Sequence, residues 1–279
     1  MLETTLYVVA TPIGNLGDIT HRALEVLQSV AIIAAEDTRH SGRLLAQFNI
    51  KTPMISVHDH NERQRVVTII NKLSAGEDVA LISDAGTPLI SDPGFILVRA
   101  VREAGFKVVP IPGCSALVTA LSAAGMPSNN FVFEGFLPAK RVGRKQQIQN
   151  LANDTRTVIF YESTHRILDS LADMQDVLGP DRYVVIAREL TKTFETIHGA
   201  KLSELIEWIN ADSNQQKGEF VVLVSGAEPV LEEGFSDETL RVLDLMLEEL
   251  PVKQACALTA KITGDKKNAL YQEALLRKK

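Results

Sequence analysis

Apolar residues follow two alternating periods from residue 6 to residue 124. Short runs dense in Val, Ile, Leu and Ala, at residues 6–10, 31–35, 53–57, 79–82 and 107–111, predict buried strands. Between them, apolar positions spaced three and four apart predict amphipathic helices, first at Ala23, Leu24, Leu27 and Val30 and then at Leu44, Leu45 and Phe48. Thr20 is placed to cap the first of these, and residues 62–73 form a helix with a charged outer face. Asp92 and Pro93 are suited to be the N-cap and first residue of a helix over 93–104. A small-residue helix over 115–124 stops at Gly125-Met126-Pro127. Strand and helix in strict alternation predict a mainly parallel sheet with helical crossovers.

A second set follows that breaker. Strands are expected at 131–136, 157–161, 183–187 and 220–224, and helices up to Ala152, after Ser163 as cap, and over 202–209. Residues 188–199 read as a polar loop. Beyond a linker at 228–234 the pattern is helical only: one face carries Leu240, Leu243, Leu247 and Leu250, a second Val252, Ala255, Cys256 and Ala260, and a third Leu270, Leu275 and Leu276. The turn at Thr263-Gly264-Asp265 makes this a candidate helix-turn-helix unit, or else a helical cap. The expected organisation is therefore α/β: a first α/β domain over 1–125, a second over 126–228, and a three-helix module over 229–279.

Composition narrows the class. No apolar run approaches the roughly 18 residues of a membrane span, the N-terminus lacks a basic leader, and Cys114 and Cys256 are far apart with no ligand spacing. A cytoplasmic setting is expected. The net charge of −6 argues against a chain coated with nucleic acid, and no DNA partner is expected. The charge is uneven, however: residues 232–250 hold seven acids and one base, whereas 251–279 hold seven bases and two acids. Lys140, Arg141, Arg144 and Lys145 form a basic stretch with no acid nearby in sequence, suited to RNA phosphates.

Dinucleotide, phosphate-loop, zinc-protease and serine-hydrolase motifs are absent. His58 and His60 form an HxH pair without a clear third ligand, so no metal site is expected. What the chain offers instead is four strand-end loops rich in Gly, Pro, Ser and Asp: residues 11–15, 36–39, 83–88 and 112–115. In an open α/β sheet these edges form the ligand crevice. Gly86 and Gly113 let backbone approach a ligand, Asp84 can accept from an amine or hydroxyl, and Ser115 begins a helix.

Six segments together resemble one family: residues 12–19, 35–39, 83–94, 112–116, 160–166 and 188–192. The chain resembles the ribosomal RNA small subunit methyltransferase I family, a tetrapyrrole-methylase-like (class III) branch of the S-adenosylmethionine methyltransferases. The resemblance spans residues 5–226 and extends to the helical tail. It implies two α/β domains with S-adenosylmethionine in the cleft between them, a homodimer, and 2′-O-methylation of a cytidine in the decoding region of 16S rRNA, in the small ribosomal subunit. It places the cofactor against Pro12, Ile13, Asp84, Gly86, Thr87, Ser115 and Ala116, with Tyr161 and Arg188 closing over it. The small-molecule branch carries Gly-Asp-Pro where Ser83-Asp84-Ala85 stands, which lowers the case for a tetrapyrrole substrate.

A ribose hydroxyl is a weak acid, so a positioned base or cation would assist transfer. Glu36, Asp37, Arg39 and Glu189 are the catalytic candidates, a carboxylate serving as base and Arg39 or Lys192 steadying the alkoxide. Structural ion pairs among the same residues are the alternative. A methyltransferase for a tetrapyrrole or other small molecule, and a ligand-sensing helix-turn-helix regulator, are the competing functions.

Overall fold

The computed structural model describes residues 4–228 and 235–277. They form two compact units, residues 1–227 and 228–279, each taken by itself below. Most of the expected linker, at 229–234, lies outside the described residues.

The first unit opens with a five-stranded sheet. β1 (Thr5–Val9), β2 (Ile32–Ala35), β3 (Met54–Ser56), β4 (Val79–Ile82) and β5 (Lys107–Ile111) lie in the order β3-β2-β4-β1-β5, and all four neighbouring pairs are parallel. β2 and β4 are buried along their whole length, which is why they read as unbroken apolar runs. α1 (His21–Ser29) is capped as expected, with the Thr20 hydroxyl accepting from the Ala23 amide at 3.1 Å. α2 (Thr38–Gln47) is capped by Asp37, and α3 (Glu62–Ser74) and α4 (Phe95–Glu103) complete the crossovers. Chain order reverses at the centre of this sheet, where β1 and β4 are neighbours, and that is the crevice position of doubly wound folds.

Asp92 does not cap α4. The helix starts at Phe95 with Gly94 (φ 128°) as its N-cap, and Leu89 (φ 74°) and Ser91 (φ 65°) both take left-handed backbone. Such conformations oppose the Cβ of an ordinary residue at about 1–3 kcal/mol each, so the surrounding structure must enforce them.

α5 (Ala116–Ala123) belongs by packing to the second sheet: Leu117, Ala120 and Leu121 share a core with Ile159, Val185, Ala187, Val221 and Leu223. That sheet runs β6-β7-β10-β8-β9, comprising β6 (Phe131–Phe136), β7 (Thr157–Ser163), β8 (Tyr183–Arg188), β9 (Thr196–Lys201) and β10 (Glu219–Val224). β6 and β7 are parallel and the remaining pairs antiparallel. Its other face is covered by α6 (Arg141–Asn150), α7 (Ile167–Leu178) and α8 (Leu202–Ala211). Two expectations are corrected. The end of the supposed loop at 188–199 is β9, an edge strand paired to β8, and Ser163 ends β7 instead of capping α7.

The second unit contains α9 (Asp237–Glu249), α10 (Val252–Thr263) and α11 (Lys267–Arg277) around Leu243, Cys256, Leu270 and Ala274. Gly264 (φ 83°) closes α10, and Thr239 Oγ1 donates to Asp265 Oδ2 at 2.7 Å, tying the start of α9 to that turn. Leu275 and Leu276 are exposed, so the third apolar face is built on Leu270 and Ala274 instead.

Candidate active site

The sequence brings glycine and small polar residues to the ends of β1 and β4, and there the two loops are latched together. The Thr11 amide donates to Gly86 O at 2.8 Å and the Gly86 amide to Thr11 O at 3.0 Å. Gly86 has φ 81°, and a Cβ there would meet Ile13 Cγ2 at 3.3 Å. Thr87 Oγ1 donates to Cys114 O at 2.9 Å and joins the β5 loop to the same assembly. At the neighbouring end of β2, the Asp37 amide donates to Asp84 Oδ1 at 3.0 Å. The Asp84 amide in turn bonds the Glu36 carboxylate.

These loops form one wall of a cavity of about 710 Å³, within the roughly 300–1,000 Å³ of small-molecule sites. The second sheet supplies the other wall through Phe136, Tyr161 and residues 162–165, with Leu190, Lys192 and Gly218 at the side. Tyr161 is braced by edge contacts to Phe133 and Phe136, with ring centroids 4.8 and 5.6 Å away, and its hydroxyl accepts from the Leu117 amide at 3.2 Å. Burial raises the Tyr161 pKa, so the phenol stays neutral.

Six carboxylates line this space; Glu162 pairs with Arg166, and Glu189 and Glu219 with Lys192, whereas Glu36, Asp84 and Asp92 form no ion pair among the described residues. Burial, then the neighbouring Asp92 and Asp84, push the Glu36 carboxyl upward. Asp92 is pushed up to about 6 by burial, with the Ser83 hydroxyl bond opposing and Asp84 adding to the rise.

The expected residues divide sharply. Ile13, Asp84, Gly86, Thr87, Ser115, Ala116 and Tyr161 line the cavity, as do Glu36 and Glu189. Pro12 and Arg188 are not among its lining residues. Arg188 is buried, and its guanidinium donates to Lys217 O and Phe194 O, each at 3.0 Å, clamping the 189–195 strap. The Glu189 carboxylate accepts from Lys192 Nζ at 2.8 Å and the Glu219 amide at 3.0 Å, which occupies it structurally. Asp37 and Arg39 also lie off the lining: Asp37 Oδ1 takes the Arg39 amide at 2.8 Å and Oδ2 its guanidinium at 2.8 Å, while the Arg39 side chain is 88% exposed. Those bonds hold the Asp37 carboxyl far below the usual range.

The basic stretch is also rearranged. Arg144 is 4% exposed, and its Nε donates to Asp173 Oδ2 at 2.8 Å, so it cannot meet a phosphate. Arg141 pairs with Asp173 and Asp176, and Lys145 with Asp176. Only Lys140 of the four has no such partner among the described residues. Sequence reasoning missed Ile90, Ser91, Phe136 and Leu190, and it gave Asp92 to the helix.

A model of the tetrapyrrole (corrin/porphyrin) methylases matches residues 5–206, and one of the RsmI C-terminal HTH domain matches residues 233–278. The ribosomal RNA small subunit methyltransferase I of Pseudomonas aeruginosa is 61% identical over 278 residues, covering 99% of both chains. The chain belongs to the ribosomal RNA small subunit methyltransferase I family. Its Escherichia coli O157:H7 member is 58% identical over 97% of this chain and 94% of its own. The fold is shared with a cobalt precorrin-4 methyltransferase at TM-score 0.60 and 16% identity, covering 79% of this chain and 94% of that one.

Membership of this methyltransferase family carries S-adenosylmethionine as methyl donor, and the cavity fits it. Its volume is adequate, Gly86 leaves backbone bare at the β1–β4 latch, and the Asp84 carboxylate, free of any ion pair among the described residues, suits a ligand bearing a sulfonium and an ammonium. Ile13, Ala116 and Leu190 give the lining apolar surface.

Proposed function

We propose that this chain transfers the methyl group of S-adenosylmethionine to the 2′-oxygen of a cytidine in the decoding region of 16S rRNA. The observation that carries this is full-length identity of 61% to a protein named ribosomal RNA small subunit methyltransferase I, with the catalytic unit and the helical tail both included. The donor would be held by Ile13, Asp84, Gly86, Thr87, Ser115, Ala116 and Tyr161, with Pro12 and Arg188 supporting the wall from behind. Transfer is an in-line displacement, so fixing the acceptor oxygen against the donor is most of the catalytic task. Glu36 faces that space and is a candidate acid–base group; Asp37, Arg39 and Glu189 act by holding loops.

The organisation proposed is a catalytic pair of α/β domains, 1–125 and 126–228, followed by the tail at 229–279. Lys140 and the bases of the tail are the proposed RNA contacts, in a small-subunit substrate. We also infer a cytoplasmic homodimer. An apolar groove lined by Val66, Phe95, Ile96 and Ala100, with Phe95 62% exposed, is a candidate self-interface, and Arg63 and Arg99 at its edge suit an isologous polar rim. Phe95→Glu should shift the chain to monomer in light scattering if this face is used.

The deciding assay offers labelled donor with small subunits, naked 16S rRNA, DNA and a tetrapyrrole. Label confined to rRNA, at a ribose 2′-position by nucleotide-resolution mapping, is the expected result. Label on the tetrapyrrole would replace the proposal with a small-molecule methylase.

A further inference from the structure

Asp92 occupies a built position. The backbone is left-handed at Leu89 and Ser91 and has φ 128° at Gly94, three unusual conformations within six residues. A Cβ at Gly94 would lie 3.0 Å from Leu81 Cδ2, so the turn is pressed onto the sheet. On the opposite wall, β6 shifts register between Phe133 and Gly135, and Gly135 (φ 65°) sits where a Cβ would be 3.3 Å from Ser91 Oγ. Capping α4 would have been the undemanding use of a Ser-Asp-Pro-Gly sequence. The fold instead places Asp92 on the cavity lining beside Asp84 and Glu36, across from Tyr161.

Resting on the proposed RNA methylation, we propose that Asp92 is the general base that takes the proton of the acceptor ribose hydroxyl. The acceptor oxygen forms its bond to the methyl carbon while the carbon–sulfur bond breaks, that electron pair passing to sulfur. The hydroxyl proton moves to an Asp92 oxygen and then to solvent, so charge and atoms balance without any other reactant. The choice among the cavity carboxylates follows from their partners. Asp84 holds the Asp37 amide, Glu36 takes the Asp84 amide, and Glu189 is bound to Lys192 and the Glu219 amide. Asp92 takes its hydrogen bond from the Ser83 hydroxyl, a rotor that can turn instead to Ala85 O at 3.3 Å, and among the described residues it pairs with no cation. The charged and titratable groups around it are Asp84 and Glu36 from the β4 and β2 ends, with Asp59 beyond Glu36. Tyr161, Glu162, His165, Glu189, Lys192 and Glu219 face it across the cavity. Burial, opposed by the Ser83 hydroxyl bond and aided by the Asp84 charge, brings its pKa to about 6, so it is ionised at neutral pH yet basic enough to act.

The test uses Asp92→Asn and Asp92→Glu in the full chain. In the donor-free wild type, carbon-13 NMR of labelled aspartate should show a carboxyl titrating near pH 6 that Asp92→Asn removes. Asp92→Asn should keep donor affinity within about threefold by calorimetry while kcat on the RNA falls about 10²- to 10⁴-fold. Asp92→Glu should restore part of kcat with a displaced acid limb in the pH–rate profile. Turnover within about threefold of wild type in the Asn variant, or donor affinity falling as far as turnover, overturns the assignment. Wild-type protein that labels no RNA would instead overturn the proposed function and leave the aspartate titration standing.

Discussion

At the scale of single residues, two carboxylates, the half-buried Asp92 and the buried Asp173, respond to pH in opposite directions. The folded state raises the pKa of Asp92, so its ionisation opposes folding. That contribution is fully favourable below the unfolded carboxyl value near 4 and is lost as pH rises through about 6. The displacement corresponds to on the order of 1–2 kcal/mol once solvent screening is allowed for. Asp92→Asn is therefore expected to raise the melting temperature by a few degrees at pH 8 and to leave it unchanged at pH 4, which scanning calorimetry would show. A catalytic group held against its own stability gives this signature, whereas a helix cap would give the reverse. Asp173 runs the other way. Burial works against its ionisation, but the hydrogen bonds from Arg141 and Arg144 prevail and lower its pKa. Its stabilisation is present at neutral pH and lost as pH falls through that lowered value. Arg144→Met should destabilise the chain by about 3–5 kcal/mol in urea unfolding, because it strips one partner from a buried ion pair. Donor and RNA affinity of the folded variant should be unaltered, since Arg144 reaches neither the cavity lining nor the surface.

Among elements, the decisive one is the latch between the β1 and β4 ends. Gly86 must hold φ 81° with Ile13 at its back, so Gly86→Val adds both backbone strain and a side chain at that wall. The expected outcome is a loss of about 1–3 kcal/mol in stability and at least about tenfold weaker donor binding by calorimetry. Why this latch was legible in the sequence, and other parts were not, follows from the physics. A parallel strand buried on both faces writes an unbroken apolar run, so β2 and β4 were readable; β1 and the edge strand β5, though less buried, were readable from their β-branched residues and the Gly- and Pro-containing turns that follow them. β9 was not, because an edge strand is held mainly by backbone bonds to β8, and Thr196–Lys201 carries no apolar alternation. The turn at 89–94 was hidden because Leu89 and Ser91 are not residues that announce a left-handed backbone. The basic stretch misled because its counter-charges, Asp173 and Asp176, are about 30 residues away in the chain and meet it only when α6 packs beside α7. Local sequence shows charge, but only tertiary packing shows whether that charge is already spoken for.

For the whole molecule, the question is how a chain of net charge −6 holds RNA. With three of the four bases at 140–145 paired to acids, the catalytic unit has lost most of its expected phosphate surface. The final 29 residues, 251–279, retain seven bases against two acids. Among the described ones, Arg277 is engaged with Asp244 and Glu273. Each phosphate neutralised by a free base steepens the salt dependence of binding, by about 0.9 per contact on duplex DNA and about 0.7 on single strands. A chain ending at residue 227 keeps both sheets and the entire cavity lining within one compact unit. It should therefore fold, melt cooperatively and bind S-adenosylmethionine with the affinity of the full chain. Its affinity for small subunits should fall, and the plot of log affinity against log salt should flatten by about two to four contacts' worth. Restoring the tail with Lys253, Lys261, Lys266 and Lys267 changed to Gln should reproduce the flattened slope if the lysines act by charge. If the tail acts by shape or by self-association, the quadruple variant will bind as the full chain does while the truncated one remains weak. Filter binding across a salt series, with light scattering at each protein concentration, separates these two outcomes.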